Sequence, residues 1–569
     1  MKDEVIKILQ KALKKIKAEL KPEQIEKLIE IPPNSDMGDF AFPCFSLAGK
    51  LKSSPQEIAT NLREEIGNPP SEFEDVQSNG PYINFFIDRK SLAINLINEI
   101  LEEKENYGRT LSPKKPITTM IESPSPNTNK PLHIGHLRNM SIGESVSRIS
   151  EFNGEKIIRA NMNSDRGIHI CKSMAAYLKY GKNSKPDKKI KPDHFVGKYY
   201  VLFGQKEKTD EELELLSHRL LQKWEDGDRE TLELWGKMNN WAFAGFNETY
   251  KKFGVKFDKE YFESQIYSEG KAMVLDGLKK GIFEKRKDGA VIIDLKKEGL
   301  DEKVLLRIDG TSVYITADLY LAKIKQKEFS PDKSYYITGN EQDYHFQVLF
   351  SILKKLGFNQ NLKHLSYGMV QLPEGKIKSR EGTKGLTADE IIENTQSLVK
   401  KELNKRDKLS KKELEERSLK ISLAAIKYAL LKVDLKKNMI FNPKESISIE
   451  GDTGPYIQYS YARASSILKK IKNKKSSEIK IVELNKHETE LIKKLSEFKE
   501  IVSKSYENLN PSLIANYSYQ LAQIFNEFYH DSHVIGSEQE IFRINLVDAF
   551  RKAIKNSLFL LGIDVLEKM

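Results

Sequence analysis

Cysteine is all but missing: Cys44 and Cys171 stand far apart and are the only two in 569 residues. Such a pair builds neither a disulfide framework nor a cysteine-rich zinc site, so no protein-bound zinc and a cytoplasmic setting are expected. Long apolar runs are missing as well. Nothing approaches the roughly 18 consecutive apolar residues of a membrane-spanning helix, so no membrane partner is expected. The amino-terminal segment is charged from Lys2 onward and amphipathic, which is not the pattern of a signal peptide. No internal repeat is found. Acidic side chains fall short of basic ones, 82 against 93, and the resulting +11 suits a polyanion. The length exceeds what one core fills and implies about three or four domains.

What is present centres on Ser123 to Arg138, which reads Ser-Pro-Ser-Pro-Asn-Thr-Asn-Lys-Pro-Leu-His-Ile-Gly-His-Leu-Arg. Before it, Pro116 to Glu122 is β-branched and apolar and predicts a buried strand. After it, Ile134, Leu137, Ile142, Val146 and Ile149 recur at helical spacing, with Gly154 as a C-cap. Lys156 to Ala160 then predicts a second strand. The unit is βαβ, and its loop ends in a His-Ile-Gly-His turn at a helix N-terminus. Free N–H groups and the positive end of the helix dipole suit a phosphate there. Gly135 permits close approach to the backbone. His133 and His136 flank it as donors toward anionic oxygens.

A second basic stretch, from Gly375 to Thr383, follows a predicted strand at Ser366 to Val370, about 240 residues further on. The two stretches together resemble the paired signatures of class I aminoacyl-tRNA synthetases, His-Ile-Gly-His and Lys-Met-Ser-Lys-Ser. The text from Glu122 through Arg138 resembles the arginyl-tRNA synthetases in particular. Strands and helices from Ser334 to a capping box at Thr387 and Glu390 complete a second half. The expected fold class is α/β: a doubly wound, Rossmann-type parallel sheet as catalytic domain, an N-terminal α/β module and a C-terminal all-helical anticodon-binding bundle.

The expected boundaries are 1–108 for the N-terminal module, 109–396 for the catalytic domain with a connective insertion at about 172–300, and 397–569 for the helical domain. The resemblance implies that the first module contacts the elbow of the tRNA, with Tyr82 and Asn84 meeting an unpaired base. Alternation from Gly80 to Ile87 equally fits plain cross-strand packing of those two residues. The stretch Glu450 to Arg463 resembles the start of the family's anticodon-binding bundle. Tyr456, Tyr459, Arg463 and the terminal Met569 are the implied tRNA contacts there. The lysine-rich run Lys469 to Lys475 reads as a solvated linker.

The implied reaction joins L-arginine, ATP and tRNA(Arg). The arginine carboxylate attacks the α-phosphate of ATP, pyrophosphate leaves, and the arginyl group moves to the terminal ribose of the tRNA. Catalysis is then positioning and charge neutralisation. By the resemblance, His133, Gly135 and His136 hold the phosphates. Lys130, Lys376, Lys378 and Arg380 supply positive charge together with Mg²⁺, and Gly339, His345 and Val370 receive adenosine. A guanidinium is planar and permanently charged, and carboxylates read it best. The matching positions are Glu122, Tyr314 and Asp318 for that group, with Asn127 and Gln342 for the amino-acid head. Asp318 also fits a helix N-cap.

One departure stands in the second signature. Its usual fourth-place lysine is Ser379 here, and Lys130, just ahead of the histidines, is the expected substitute. Two rivals are weighed. An adenylyltransferase of the same nucleotide-binding superfamily would share the histidine signature without the flanking modules. A synthetase-like tRNA-binding protein without aminoacylation activity would not need intact signatures. A monomer is expected, since nothing suggests a dedicated interface.

Overall fold

The computed structural model describes residues 2–34, 37–70, 72–109, 115–181, 183–373, 387–406, 408–471 and 479–569. They group into two compact units. One takes Met1–Lys104, Ile471–Ser496 and Glu527–Phe550; the other takes Glu105–Lys470, Glu497–Asn526 and Arg551–Met569. The helical C-terminal region contributes to both, a division made by long-range packing that local patterning does not carry.

In the first unit, Lys2–Lys15 is a helix because Val5, Leu9, Ala12 and Leu13 recur on one face and bury it. Pro55–Ile66 begins with a reciprocal cap in which Ser54 and Glu57 satisfy each other's backbone N–H groups, with Pro55 in the first turn. A three-stranded antiparallel sheet runs Phe40–Pro43, Tyr82–Ile87, Phe73–Asn79 in spatial order. Leu9, Leu13, Ile58, Leu62, Phe42 and Phe85 join helices and sheet in one core.

The second unit is built on five parallel strands: β1 (Thr118–Glu122), β2 (Lys156–Asn163), β3 (Lys259–Phe262), β4 (Lys333–Gly339) and β5 (Asn361–Tyr367). Their order is β5-β4-β1-β2-β3. The chain therefore winds outward from β1 to β3 and returns to the other side of β1 as β4. Doubly wound sheets take their ligands at such a reversal, beyond the carboxyl ends of the strands. Glu122 and Gly339 are those ends.

Helix α1 (Ile134–Phe152) joins β1 to β2 and stops at a Schellman motif. The Gly154 N–H donates to Glu151 at 3.0 Å and the Glu155 N–H to Ser150 at 3.1 Å. Four helices then precede β3, namely Ile168–Tyr180, Pro192–Lys206, Glu211–Glu225 and Arg229–Phe253. Trp241 of the last packs edge-on against Tyr177 and Phe195. Beyond β3 come α2 (Tyr314–Phe329), α3 (Asp343–Lys355) and α4 (Ala388–Arg406).

The strand expected at Ser366 to Val370 is divided. β5 begins earlier and ends at Tyr367, and the short strand Val370–Gln371 pairs instead with Met439–Ile440. The break is at Gly368, where the Lys437 carbonyl approaches so closely that a Cβ would lie 2.5 Å from its oxygen. Among the described residues no helix is long and apolar enough to cross a membrane.

Candidate active site

His133 is the N-cap of α1, and the turn closes on itself through two imidazoles. His133 Nδ1 accepts the Gly135 N–H at 3.1 Å, while His136 Nδ1 accepts the His133 N–H at 3.0 Å. This is a capping box built with rings in place of serine and glutamate. A neutral imidazole that accepts at Nδ1 carries its proton on Nε2, so this hydrogen-bond network gives each ring an Nε2–H to donate. Withdrawal from water, and then the charge of Lys130, pushes His133 down to about 3. The same withdrawal, with His133 and Lys130 adding to it, holds His136 well below its ordinary value. Both are neutral donors at physiological pH. The rings lie 4.0 Å apart. Gly135 is needed because a Cβ there would stand 3.0 Å from Cε1 of the His133 ring. Lys130 is half-buried, and desolvation lowers its pKa.

Two contacts tie this turn to the flanks of the second basic stretch. His133 forms an antiparallel bridge with Thr387, and the Ala388 N–H donates to the Leu132 carbonyl at 2.8 Å. The predicted box at Thr387 and Glu390 forms, each satisfying the other's N–H at 3.2 Å. On the other flank, fully buried Arg138 of α1 donates to the carbonyls of Gly368 at 2.6 Å and of Asp434, Leu435 and Lys437. Lys376, Lys378 and Arg380 lie outside the described residues. Val370 is buried and Gly339 half-buried at the carboxyl side of the sheet.

Glu122, at the end of β1, is buried and already meets a protein cation. Lys325 of α2 donates to its Oε2 in a short ion pair, and Ser125 Oγ donates to Oε1 at 3.3 Å. Asp318 is not a helix cap. It lies inside α2, and its Oδ2 is 2.8 Å from His345 Nε2 on α3. Two residues singled out separately are thus brought together. Asn127, Tyr314 and Gln342 are exposed, Gln342 closing the short turn Asn340–Gln342 ahead of α3. Sequence reasoning passed over Glu263, at the start of the helix Glu263–Lys279. Burial pushes its carboxyl up to about 7; Arg166 opposes this, and Asp318 and Asp165 add to it. No local signal marks Glu263, because its charged neighbours are distant in the chain.

Of the residues assigned to tRNA, Asn84 is only 6 % exposed on the central strand of the first unit, opposite Ala41 and Gln77. Tyr82 is half-buried and meets exposed Phe45 edge-on at 5.6 Å. In the second unit, Tyr456, Tyr459 and Arg463 share one face of the helix Gly454–Lys469. The Arg463 guanidinium lies 4.7 Å from the Tyr459 ring centre and donates to Asn526 at 2.8 Å. Tyr459 and Met569 line one cavity of about 320 Å³, together with Val399 and Leu403 of α4.

A parallel sheet reversed at β1 and β4, with a histidine-capped helix at the reversal, is common to class I aminoacyl-tRNA synthetases and the adenylyltransferases of their superfamily; the domains around it separate the two. The model described as tRNA synthetases class I (R), catalytic domain, matches residues 96–443. The DALR anticodon binding domain matches 457–569, and the arginyl tRNA synthetase N terminal domain matches 3–87. The chain belongs to the arginyl-tRNA synthetase family. It is 44 % identical over 574 aligned positions to the arginine–tRNA ligase of Treponema denticola, covering 96 % of this chain and 95 % of that one. It is 46 % identical over 570 to that of Bacteroides fragilis, covering 94 % of each. Among solved structures, the Thermus thermophilus arginyl-tRNA synthetase shares the fold over all of both chains, with a TM-score of 0.73 at 23 % identity.

Proposed function

We propose that the chain is an ATP-dependent arginine–tRNA ligase, forming arginyl-adenylate and passing the arginyl group to tRNA(Arg) with release of AMP. The observation that carries this reading is the reciprocal His133–His136 cap, which supplies two neutral Nε2–H donors at the sheet reversal. Donors fixed before the reaction stabilise the charge that develops on phosphate oxygens without reorganising. Lys130 stands beside them, and Lys376, Lys378 and Arg380 add charge from the second stretch. Mg²⁺ arrives with ATP, as part of that substrate. Gly339, His345 and Val370 receive adenosine, and the contact of His345 with Asp318 supports a continuous site for nucleotide and amino acid. Glu122 and Asp318 face the guanidinium with Tyr314, and Glu263 adds a third carboxyl. Asn127 and Gln342 take the amino-acid head.

The same reading assigns tRNA contacts to Tyr82 with Asn84 beside it, and to Tyr456, Tyr459, Arg463 and Met569. It divides the chain into an elbow-binding module (1–108), a catalytic domain (109–396, insertion about 172–300) and an anticodon-binding domain (397–569), acting as a monomer in the cytoplasm. Pyrophosphate exchange and tRNA charging, run with each amino acid in turn, test it. Arginine alone should support both. A protein that binds tRNA but supports neither reaction would be the non-catalytic relative instead.

A further inference from the structure

Lys325 takes no part in the reaction as set out above, yet it stands beside its arginine carboxylates. Its side chain is 1 % exposed on α2. A buried ammonium is unfavourable unless an opposite charge meets it. Glu122 does so, and the Tyr336 ring lies 4.3 Å from Nζ on another side. The sheet register itself sets the contact, because Tyr336 of β4 is directly opposite Glu122 of β1. Along α2, Tyr314, Asp318 and Lys325 stand four and then seven residues apart, which puts them on one face. An ionised carboxylate has about four acceptor sites. Lys325 engages Glu122 at Oε2, and Ser125 engages Oε1 at a long 3.3 Å.

We propose that Lys325 is a positioning residue for arginine recognition: its ammonium pairs with the buried Glu122 and pins Oε2, which leaves Oε1 for the substrate guanidinium. This rests on the reading that Glu122 faces arginine. Among the described residues, Tyr336 of β4 and Tyr261 of β3 also act on Glu122, and Asp318 of α2 acts on Lys325. Two phenols and a second acid give no support to a negative charge. With the ammonium gone, the buried Glu122 carboxyl loses the cation that holds it in place, and with it its grip on a guanidinium.

Arginine charging by the full-length protein, at saturating tRNA, tests this with four variants. Lys325→Met should raise the arginine KM by about tenfold or more. Its kcat and ATP KM should stay within about threefold. Lys325→Arg, which keeps the charge, should remain near wild type. The double variant Glu122→Gln/Lys325→Met should match Glu122→Gln alone, because Lys325 acts only through Glu122. That pair leaves no unpaired charge and decides the matter if Lys325→Met does not fold. A Lys325→Met arginine KM within about threefold of wild type, or a double variant more than about threefold worse than Glu122→Gln, overturns the proposal. A wild-type protein that charges no arginine overturns the underlying reading with it.

Discussion

A histidine that accepts a backbone N–H while withdrawn from water has two reasons to stay neutral, and His133 has both. Held near 3 when folded, against an ordinary 6.5, its ring should not titrate between about pH 6 and 8, and an inflection of activity in that range would belong to Glu263 instead. Below about pH 6.5 the unfolded chain takes up a proton there that the folded chain refuses down to about 3. Stability therefore falls as pH drops through that window. A histidine NMR titration compared with His133→Gln checks this, and a His133 resonance titrating near 6.5 would refute it. With neutral imidazoles, the positive charge on this turn falls to Lys130, beside that of the second stretch and of Mg²⁺. Lys130→Ala should lower kcat for adenylate formation by about 10²–10³-fold, the scale of losing one oxyanion-type donor, and leave arginine affinity unchanged. Ser379→Lys in that background should restore part of the rate. A silent Lys130→Ala places the charge elsewhere. Asp318→Asn should raise the arginine KM by about 2–5 kcal/mol in equivalent free energy with little change for ATP, and equal effects on both would discard the assignment.

At the level of the element, α1 is fixed at its first turn by Thr387 and in its second by Arg138, so one helix holds both flanks of the second signature. The guanidinium suits this place because its planar fork reaches several carbonyls at once, which a lysine point charge does not. Burial lowers its pKa to about 10, still charged at neutral pH. Arg138→Met should therefore destabilise the fold by about 1–3 kcal/mol for each carbonyl left without a donor. Denaturant unfolding would measure it, and a loss below about 1 kcal/mol would show the carbonyls satisfied otherwise. The βαβ unit, its Gly154 terminus and the Thr387 box were legible because periodicity and caps are local. The break at Gly368 was not, because its cause is the Lys437 backbone, distant in the chain. Arg138 stood out only as the end of the signature stretch, with no role, and Lys325 and Glu263 carried no signal, for the same reason: each is defined by partners that only the closed sheet brings near. Glu122 was legible as a buried strand-end acid in need of a partner; that a lysine of the chain itself supplies one was not.

On the scale of the molecule, the question is whether tRNA at one end of the second unit can be felt at the histidine turn. α4 offers a continuous path. It starts beside His133, where Ala388 bonds to the Leu132 carbonyl, and farther along its Val399 and Leu403 line the cavity shared with Tyr459 and Met569. Val399, Leu403, Ile421 and Leu566 form a small core there, with Met569 packed against it. A nucleotide seated against Tyr459 and Met569 would press on that core, and a helix transmits a shift at one end to the other more directly than a loop. Coupling of this kind is a free energy shared by both sites, typically 1–3 kcal/mol, or about 5–150-fold in affinity. Arginine-dependent pyrophosphate exchange should accordingly be low in nuclease-treated protein and rise on adding tRNA(Arg). Deleting Met569 or changing Tyr459→Ala should weaken that stimulation more than the folded protein's affinity for ATP. Strong exchange without tRNA would sink the idea outright. Stimulation by tRNA that survives both changes would keep the dependence and remove α4 as its route, because the cavity would then have no say in what the histidines do.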